Sequence, residues 1–444
     1  MKLKSCVFFL LTILLLNGPV LAQTEAIQNI INDDQAYLEE LYKYLHANPE
    51  LSSHEQSTAR RIAEELRDLG IDVTEHVGGY GVVGVFENGP GPVVMVRSDM
   101  DALPIREQTG APFASTRTAV LDNGEETYVM HACGHDLHMT VMVGTARALT
   151  KLSDRWNGTV VFIGQPAEET GTGARDMIND GLFERFPRPD YVLALHVNSA
   201  LESGKTGIVS GYAYANVENI NIRVKGRGGH GAYPDLAVDP IIMATGLVQN
   251  LQTIISREIP ALDSAVLTVG SFRGGHVANI IPDEVELKIT LRTFKVEVRD
   301  KIVERIRQMS DAAGKSAGLP EEEWPLITFD GSPLPSVYNH PGLAGFLSQT
   351  FKGVLGEDNV IELSPVMYGE DFAMYGRVSP EIPAVIYSLG AVSPEDIALY
   401  EEGLIDDIPS THSSRFLPDL TPALQTGILT MSSAVFNLIS SPDL

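Results

Sequence analysis

The chain has 444 residues, of which 32 are Lys or Arg and 58 are Asp or Glu, giving a formal net charge of −26, and 44% of its residues are hydrophobic. This composition is that of a globular protein, which excludes collagen-like, disordered and disulfide-scaffold classes, and the length predicts two domains. The negative charge argues against nucleic acid and anionic membrane surfaces as partners, because both are bound through clustered Lys and Arg.

The first 22 residues have the pattern of a secretory signal peptide. Lys2 and Lys4 precede an apolar run over residues 6–16, and a small-residue ending follows at Ala22. The apolar run is too short to span a bilayer. We therefore predict an exported protein, either periplasmic or secreted. After cleavage, Cys133 is the one remaining cysteine. Its side chain can be a buried hydrophobic group, half of an intermolecular disulfide or a functional thiol.

The next part of the chain alternates helices and strands. Helical spacing of apolar residues predicts helices over residues 28–45, 55–69, 136–152 and 173–182, and short Val-rich runs predict strands over residues 71–73, 81–86, 92–96, 159–163 and 191–195. Such alternation predicts an α/β domain with a mostly parallel sheet flanked by helices.

The pattern changes near residue 214. Strands are predicted over residues 220–224, 265–272, 284–293 and 326–329, with helices over residues 237–256 and 296–317. This β-α-β-β-α-β order is typical of a ferredoxin-like α+β domain. We therefore predict an inserted domain over residues 214–331 within a discontinuous domain over residues 23–213 and 332–444.

Two short segments carry residues that suit a metal site. Cys133 and His135 lie two residues apart before a predicted helix, and both can reach one ion, with Asp136 as a ligand or an orienting group. Glu168 and Glu169 follow a predicted strand, where one carboxylate can hold a cation while the other acts as a general base. The alternatives are cap and core residues for the first segment and a solvated loop for the second.

Two further histidines complete the candidate set. His196 ends a predicted strand, and His412 lies in a polar loop near the C-terminus. Each alone is more typical of a structural histidine. Together with Cys133, His135 and Glu169 they form a mixed sulfur, nitrogen and oxygen donor set, which suits zinc and tolerates manganese, cobalt or nickel.

Several motifs then occur together and in a fixed order. They are HACGHD at residues 131–136, PAEE at 166–169, GGH at 228–230 and NIIP at 279–282, extended by SDMDALP at 98–104 and YGEDF at 368–372. On these motifs the chain resembles the zinc-peptidase-like amidohydrolases that include hippurate hydrolase, auxin-conjugate hydrolases and N-acyl-amino-acid deacylases.

The resemblance implies a catalytic domain with two divalent metal ions and an inserted lid domain. By motif position it implies metal ligands at Cys133, His135, Glu169, His196 and His412, a catalytic carboxylate at Glu168 and a lid histidine at His230. It also implies oxyanion or substrate contacts at Asn279 and Arg292. Thr411 and Ser414, around His412, depart from the Leu and Pro that relatives usually have there.

The activity implied by the resemblance is hydrolysis of the amide bond of a small-molecule N-acyl amino acid, with the lid domain available for homodimerisation. A carboxypeptidase or dipeptidase on the same scaffold is one alternative. A non-catalytic metal-binding or ligand-binding module is another, and the presence of Glu168 argues against it, because a protein without turnover has no need of a proton-transfer group.

Overall fold

The computed structural model describes the backbone of residues 4–441 and the side chains from residue 22 onward. Residues 1–3 of the predicted signal peptide lie outside the described residues. For the rest of that segment, up to residue 21, only a helical backbone is described.

The described residues contain both helices and strands, numbered in chain order. The α-helices are α1 (Lys4–Ala47), α2 (Gln56–Asp68), α3 (His135–Lys151), α4 (Gly173–Asn179), α5 (Leu182–Arg185), α6 (Pro240–Thr253), α7 (Val296–Ser316), α8 (Pro341–Leu355), α9 (Ala373–Gly376), α10 (Pro394–Glu401) and α11 (Leu420–Ser440). The strands are β1 (Asp72–Val77), β2 (Gly81–Asn88), β3 (Val93–Asp99), β4 (Thr118–Val120), β5 (Glu126–Tyr128), β6 (Gly158–Gln165), β7 (Tyr191–Glu202), β8 (Thr206–Ile208), β9 (Gly211–Tyr214), β10 (Asn216–Lys225), β11 (Gly229–His230), β12 (Ala265–Arg273), β13 (Ile280–Ile281), β14 (Glu284–Thr293), β15 (Leu326–Leu334), β16 (Val337–Asn339), β17 (Val360–Glu362) and β18 (Ala384–Val392).

The chain forms two compact units. The first comprises Met1–Gly211, Asn339–Ser364 and Met374–Leu444, and the second comprises Tyr212–Tyr338 and Pro365–Ala373. The second unit thus includes Pro365–Ala373, a segment that the predicted bounds of 214–331 leave in the other domain.

The first unit is built on an eight-stranded sheet with the strand order β1-β2-β6-β3-β7-β18-β8-β17. Its central strands β6, β3, β7 and β18 run parallel, while β1 and β2 pair antiparallel with their neighbours. Strand β8 pairs antiparallel with β18 and parallel with β17. Strands β3, β6 and β18 are buried almost throughout, as is the first half of β7, which is expected for parallel strands covered on both faces. The predicted α/β class with a mostly parallel sheet is confirmed.

Helices α1, α3 and α11 supply much of the core of this unit. Their buried apolar residues pack with those of the central strands in one continuous cluster. Helix α11 is long and apolar enough to cross a membrane by length and composition, but 83% of the relevant segment is buried inside the protein. That burial is typical of the core helix of a folded domain. No other helix in the described residues meets the same criteria.

The second unit contains a four-stranded antiparallel sheet with the order β12-β14-β10-β15. Helices α6 and α7 pack their buried apolar residues against it, and the chain order β10-α6-β12-β14-α7-β15 is that of a ferredoxin-like fold. Helix α6 begins three residues later than predicted because Asp239 caps it, accepting from Ile241 N at 2.8 Å, with Pro240 as its first residue.

Candidate metal centre

The candidate site lies at one edge of the large sheet, beyond the ends of β3 and β6 and beside their parallel neighbour β7. Strand β7 continues to Glu202, so His196 lies within it and the predicted strand end at residue 195 was too early. Strand β3 ends at Asp99, β6 ends at Gln165 shortly before Glu168 and Glu169, and the adjacent strand β7 carries His196. Open α/β sheets bind their ligands beyond the carboxyl ends of parallel strands. The topology therefore gathers side chains that are far apart in sequence.

A glycine turn presents Cys133 and His135 at this edge. Gly134 precedes helix α3 with φ of 82°, a left-handed conformation that favours glycine. A Cβ at this position would lie 2.7 Å from Val197 Cγ2, so the turn is also too close to β7 for any side chain. Both neighbours of Gly134 are buried.

Cys133, His135 and His196 form the first group of donors. Their ligand atoms lie within 4.8 Å of one another, and Cys133 Sγ is 3.4 Å from His196 Nε2. His135 Nδ1 donates to the carbonyl oxygen of Asp101 at 2.8 Å, and His196 Nδ1 donates to that of Val197 at 2.8 Å. In both rings the proton is therefore held on Nδ1, which leaves Nε2 as the nitrogen able to bind a cation.

Cys133, Glu169 and His412 form the second group, and it shares the cysteine with the first. His412 Nε2 lies 3.3 Å from Cys133 Sγ and 3.5 Å from Glu169 Oε1. His412 has φ of 65°, and its backbone N–H donates to Ala132 O at 2.8 Å. This bond ties the loop of His412 to the segment that carries Cys133, although Thr411 and Ser414 depart from the family pattern.

The chemistry of these two groups fits divalent cations. His135 Nε2 and Glu169 Oε1 are buried and have no hydrogen-bond partner among the described residues. Burial, with the nearby Glu169 charge, holds the pKa of the Cys133 thiol well above its usual range, and burial raises the pKa of Glu169 to about 7. Buried donors of this kind ionise readily only beside a positive charge, which a cation supplies.

Glu168 lies beside both groups and belongs to two further candidate groups, one with His135 and Glu169 and one with Glu370 and Asp371. Its Oε2 is 4.0 Å from His135 Nε2, and its side chain is 10% exposed, so it borders the site and still reaches solvent. The turn that carries it is closed by Gly171 N, which donates to Glu168 O at 2.7 Å. Gly173 makes the turn possible, because a Cβ there would lie 1.6 Å from Pro166 O.

Sequence reasoning assigned no role to the two aspartates at the end of strand β3, Asp99 as its last residue and Asp101 just after it. Asp101 accepts the Nδ1–H of His135 through its carbonyl oxygen, and its Oδ2 accepts the backbone N–H of Glu169 at 2.9 Å. Asp99 Oδ1 accepts from His138 Nδ1 at 2.7 Å. The signal in the sequence was the pair of carboxylates at the end of a strand, within the motif at residues 98–104.

A second buried network supports the start of helix α3. His46 Nδ1 lies 2.7 Å from Asp136 Oδ2, and its Nε2 lies 3.0 Å from Glu107 Oε1. Burial alone would lower the pKa of His46, but the bonds to both carboxylates raise it to about 9. His46 is therefore an imidazolium at neutral pH. The carboxylate of Asp136 binds His46 through Oδ2 and accepts the backbone N–H of Leu137 through Oδ1, so its bonds support the first turn of α3.

The remaining predicted residues lie in the second unit. His230, in β11, pairs with Ile280 in β13, and Gly231 N donates to Asn279 O at 2.8 Å, so His230 and Asn279 lie on one short ladder. His230 is exposed, and its Nδ1 accepts from Ala232 N at 3.0 Å, which places the proton of the neutral ring on Nε2. Arg292 is half-buried in β14, and its Nη1 donates to Met367 O at 2.8 Å.

The chain is similar to several known proteins. The model of peptidase family M20/M25/M40 matches residues 95–404. Hippurate hydrolase of Campylobacter jejuni is 36% identical over 347 residues, which cover 78% of this chain and 86% of that protein. N-acetyl-L-cysteine deacetylase of Bacillus subtilis is 35% identical over 335 residues, covering 75% and 76%, and thermostable carboxypeptidase 2 of Saccharolobus solfataricus is 32% identical over 399 residues, covering 89% and 94%.

Solved structures show the same similarity. A protein described as an aminohydrolase from methicillin-resistant Staphylococcus aureus superposes with a TM-score of 0.81 at 30% identity, covering 94% of this chain and all of that chain. A dinuclear metal binding peptidase of the M20 family from Bacillus subtilis superposes with a TM-score of 0.74 at 27% identity, covering 92% and 99%. The chain therefore belongs to peptidase family M20/M25/M40 and is a hydrolase that acts on amide bonds.

Proposed function

We propose that this protein is an exported, metal-dependent amidohydrolase that cleaves N-acyl amino acids to a carboxylic acid and a free amino acid. The observation that carries the proposal is the pair of donor groups that share Cys133, with Glu168 beside them. Relatives named as a hippurate hydrolase and an N-acetyl-L-cysteine deacetylase support this substrate class.

The shared cysteine supports two ions per subunit. One group offers Cys133, His135 and His196, and the other offers Cys133, Glu169 and His412. We propose zinc, with manganese, cobalt and nickel as alternatives, because thiolate, imidazole and carboxylate together make a donor set of borderline softness. When bound, such a pair of ions lowers the pKa of a water and polarises the amide carbonyl.

Glu168 is the proton carrier in this proposal. Its carboxylate takes a proton from the attacking water and returns it to the nitrogen of the leaving amine. Its side chain lies 4.0 Å from His135 Nε2 and is 10% exposed, so it is next to the candidate ligands and in reach of solvent water.

Three residues of the second unit have proposed roles that rest on the family resemblance. His230 has its proton on Nε2, and we assign this N–H to the oxyanion of the tetrahedral intermediate together with Asn279. Arg292 is assigned to the substrate carboxylate, for which a guanidinium is the matching cation. We further propose that residues 214–331 form the surface of a homodimer, which the mass of the native protein in solution tests.

Export is proposed on the pattern of residues 1–22 alone. N-terminal sequencing of protein recovered outside the cytoplasm should begin at Gln23. Recovery only in the cytoplasm, with the N-terminal segment retained, would contradict export.

A substrate panel tests the proposed activity. The zinc-loaded enzyme is assayed with N-acetyl and N-benzoyl amino acids against dipeptides that carry the same C-terminal residue. We expect higher kcat/KM for the N-acyl amino acids. The second candidate function is that of a carboxypeptidase or dipeptidase, which the similarity to thermostable carboxypeptidase 2 favours, and higher kcat/KM for the dipeptides would establish it instead.

A further inference from the structure

Glu55 is a buried carboxylate that the proposed mechanism does not use. It is 0% exposed, and its Oε1 accepts two backbone N–H groups, from Ser53 at 2.8 Å and from Ala167 at 2.8 Å. A buried carboxylate is costly unless its hydrogen bonds compensate for lost hydration. The bond to Ala167 is notable because Ala167 lies 112 residues further along the chain and directly precedes Glu168.

Both residues that donate to Glu55 have a strained backbone. Ser53 has φ of 64° and Ala167 has φ of 51°. Within the described residues, His76 and His412 are the other non-glycine residues with positive φ. Such a conformation is unfavourable for a non-glycine residue and persists only where surrounding contacts hold it. Glu55 supplies such a contact to both residues through one oxygen.

A second bond from the same loop reaches the other side of Glu168. Ser52 Oγ donates to Asp101 Oδ2 at 2.6 Å, and the same oxygen accepts the backbone N–H of Glu169 at 2.9 Å. The loop at residues 52–55 therefore holds the backbone on both sides of Glu168. It binds the N–H of Ala167 directly, through Glu55, and the N–H of Glu169 indirectly, through Asp101. Together they fix the direction in which the two glutamate side chains leave the turn.

We propose that Glu55 is a positioning residue, whose carboxylate holds Ala167 in its left-handed conformation and so orients Glu168 and Glu169 toward the metal centre. This inference rests on the proposed function for the roles of those two glutamates. Proton transfer and ligand geometry both tolerate only small displacements, so release of the turn should weaken both.

Two substitutions separate the reach of the Glu55 side chain from its charge. Glu55→Gln keeps an oxygen acceptor at the same distance from the backbone and removes the charge. Glu55→Asp keeps the charge and shortens the side chain, so that the acceptor no longer reaches Ala167 N. Positioning by hydrogen bond predicts that the Gln variant resembles wild type and that the Asp and Ala variants are impaired.

The readouts are Zn²⁺ affinity, measured by competition with a chelator, and kcat and KM for an N-acyl amino acid at saturating Zn²⁺. For Glu55→Ala and Glu55→Asp we expect Zn²⁺ affinity to fall by about 10–100-fold, as for other groups that orient metal ligands. We expect a fall in kcat of similar size, with a smaller change in KM. Where the Ala variant does not fold, the Asp variant provides the same comparison.

Glu50 provides a matched control on the same segment. Its Oε2 accepts Ser57 N at 2.8 Å and Thr58 N at 2.7 Å at the start of helix α2, and neither bond involves the turn of Glu168. Glu50→Ala removes two backbone bonds from a glutamate, as Glu55→Ala does. It should lower Tm and leave Zn²⁺ affinity and kcat unchanged.

Three results would overturn the inference. They are wild-type Zn²⁺ affinity and kcat in Glu55→Asp, a Gln variant as impaired as the Ala variant, and equal losses in Glu50→Ala. If wild-type protein did not hydrolyse N-acyl amino acids, the proposed function would fail separately, and the Zn²⁺ affinities of the variants would still decide the role of Glu55.

Discussion

Cys133 is the donor shared by both groups of the metal centre, and its removal is the sharpest test of that centre. Its Sγ lies 3.4 Å from His196 Nε2 and 3.3 Å from His412 Nε2. Cys133→Ala removes one donor from each group, whereas His196→Ala and His412→Ala each remove a donor from one group only. We therefore expect Cys133→Ala to lower the affinity for both ions and each histidine variant to lower the affinity for one ion.

The size of the effect follows from the number of donors. Structural sites with four protein ligands bind Zn²⁺ with a free energy of about 10–16 kcal/mol, which is about 2.5–4 kcal/mol for each ligand. Loss of one ligand therefore lowers affinity by on the order of 100–1,000-fold for each ion. Because Cys133 serves both groups, the product of the two binding constants should fall by on the order of 10,000–1,000,000-fold.

The assay is metal content after dialysis against a chelator, with turnover measured on the same samples. Wild type should retain two ions per chain under conditions in which Cys133→Ala retains neither and His196→Ala retains one. The metal-free Tm of each variant is the control, because Cys133 is 6% exposed and alanine fits its place with loss of only one sulfur atom. A cysteine variant with full metal content and full turnover would refute the ligand assignment.

Three further predictions concern single residues. Glu168→Gln should keep both metals and lose most turnover, because the amide keeps the shape and loses the basicity, whereas Glu169→Gln should lose metal first; similar metal loss in both would contradict the division of roles. His230→Ala should leave metal content and Tm nearly unchanged and lower kcat by on the order of 100–1,000-fold, as for other oxyanion donors, and a wild-type kcat would show that it is not catalytic. The third prediction concerns the pKa of His46. Burial alone would lower this pKa, but hydrogen bonds to Asp136 and Glu107 raise it to about 9. The stabilisation from His46, up to about 3 kcal/mol, is complete below its unfolded pKa of about 6.5 and is lost as pH rises through 9. The difference in unfolding free energy between wild type and His46→Gln should therefore shrink over that interval, and a constant difference would refute the charged state.

The parts of the fold that were predicted from sequence are those with a local signal. Strands β3, β6 and β7 contain the Val-rich apolar runs from which they were predicted, and α3 begins directly after a glycine turn. Since parallel strands end at one edge of the sheet, residues after different strands could be expected to meet there. Glu169, which follows β6, fits this expectation, whereas His135 begins α3 and His196 lies within β7. The three residues were grouped from sequence by the chemistry of their donor atoms.

The elements that sequence reasoning missed lack such a signal. Strand β18 is buried along almost its whole length, so its side chains show no alternation of polar and apolar residues. Helix α11 is buried on nearly all sides and has no polar stripe to reveal a helical period. The predicted helix over residues 173–182 is divided into α4 and α5 because Gly181 has φ of 87°, which ends one helix and starts the next.

The residues that support the candidate metal site and the start of α3 were missed for a different reason. The bond between Glu55 and Ala167 joins residues 112 positions apart, and the bond between His46 and Asp136 joins residues 90 positions apart. The local sequence around Glu55 or His46 does not identify the residue that each one binds. That partner depends on how α1 and the following loop pack on the sheet. The candidate ligands are recognisable from side-chain chemistry and spacing, whereas the groups that support them depend on the tertiary fold. Substitution of Glu55 should therefore change metal binding, and substitution of His46 should change stability, without altering any of the proposed ligands.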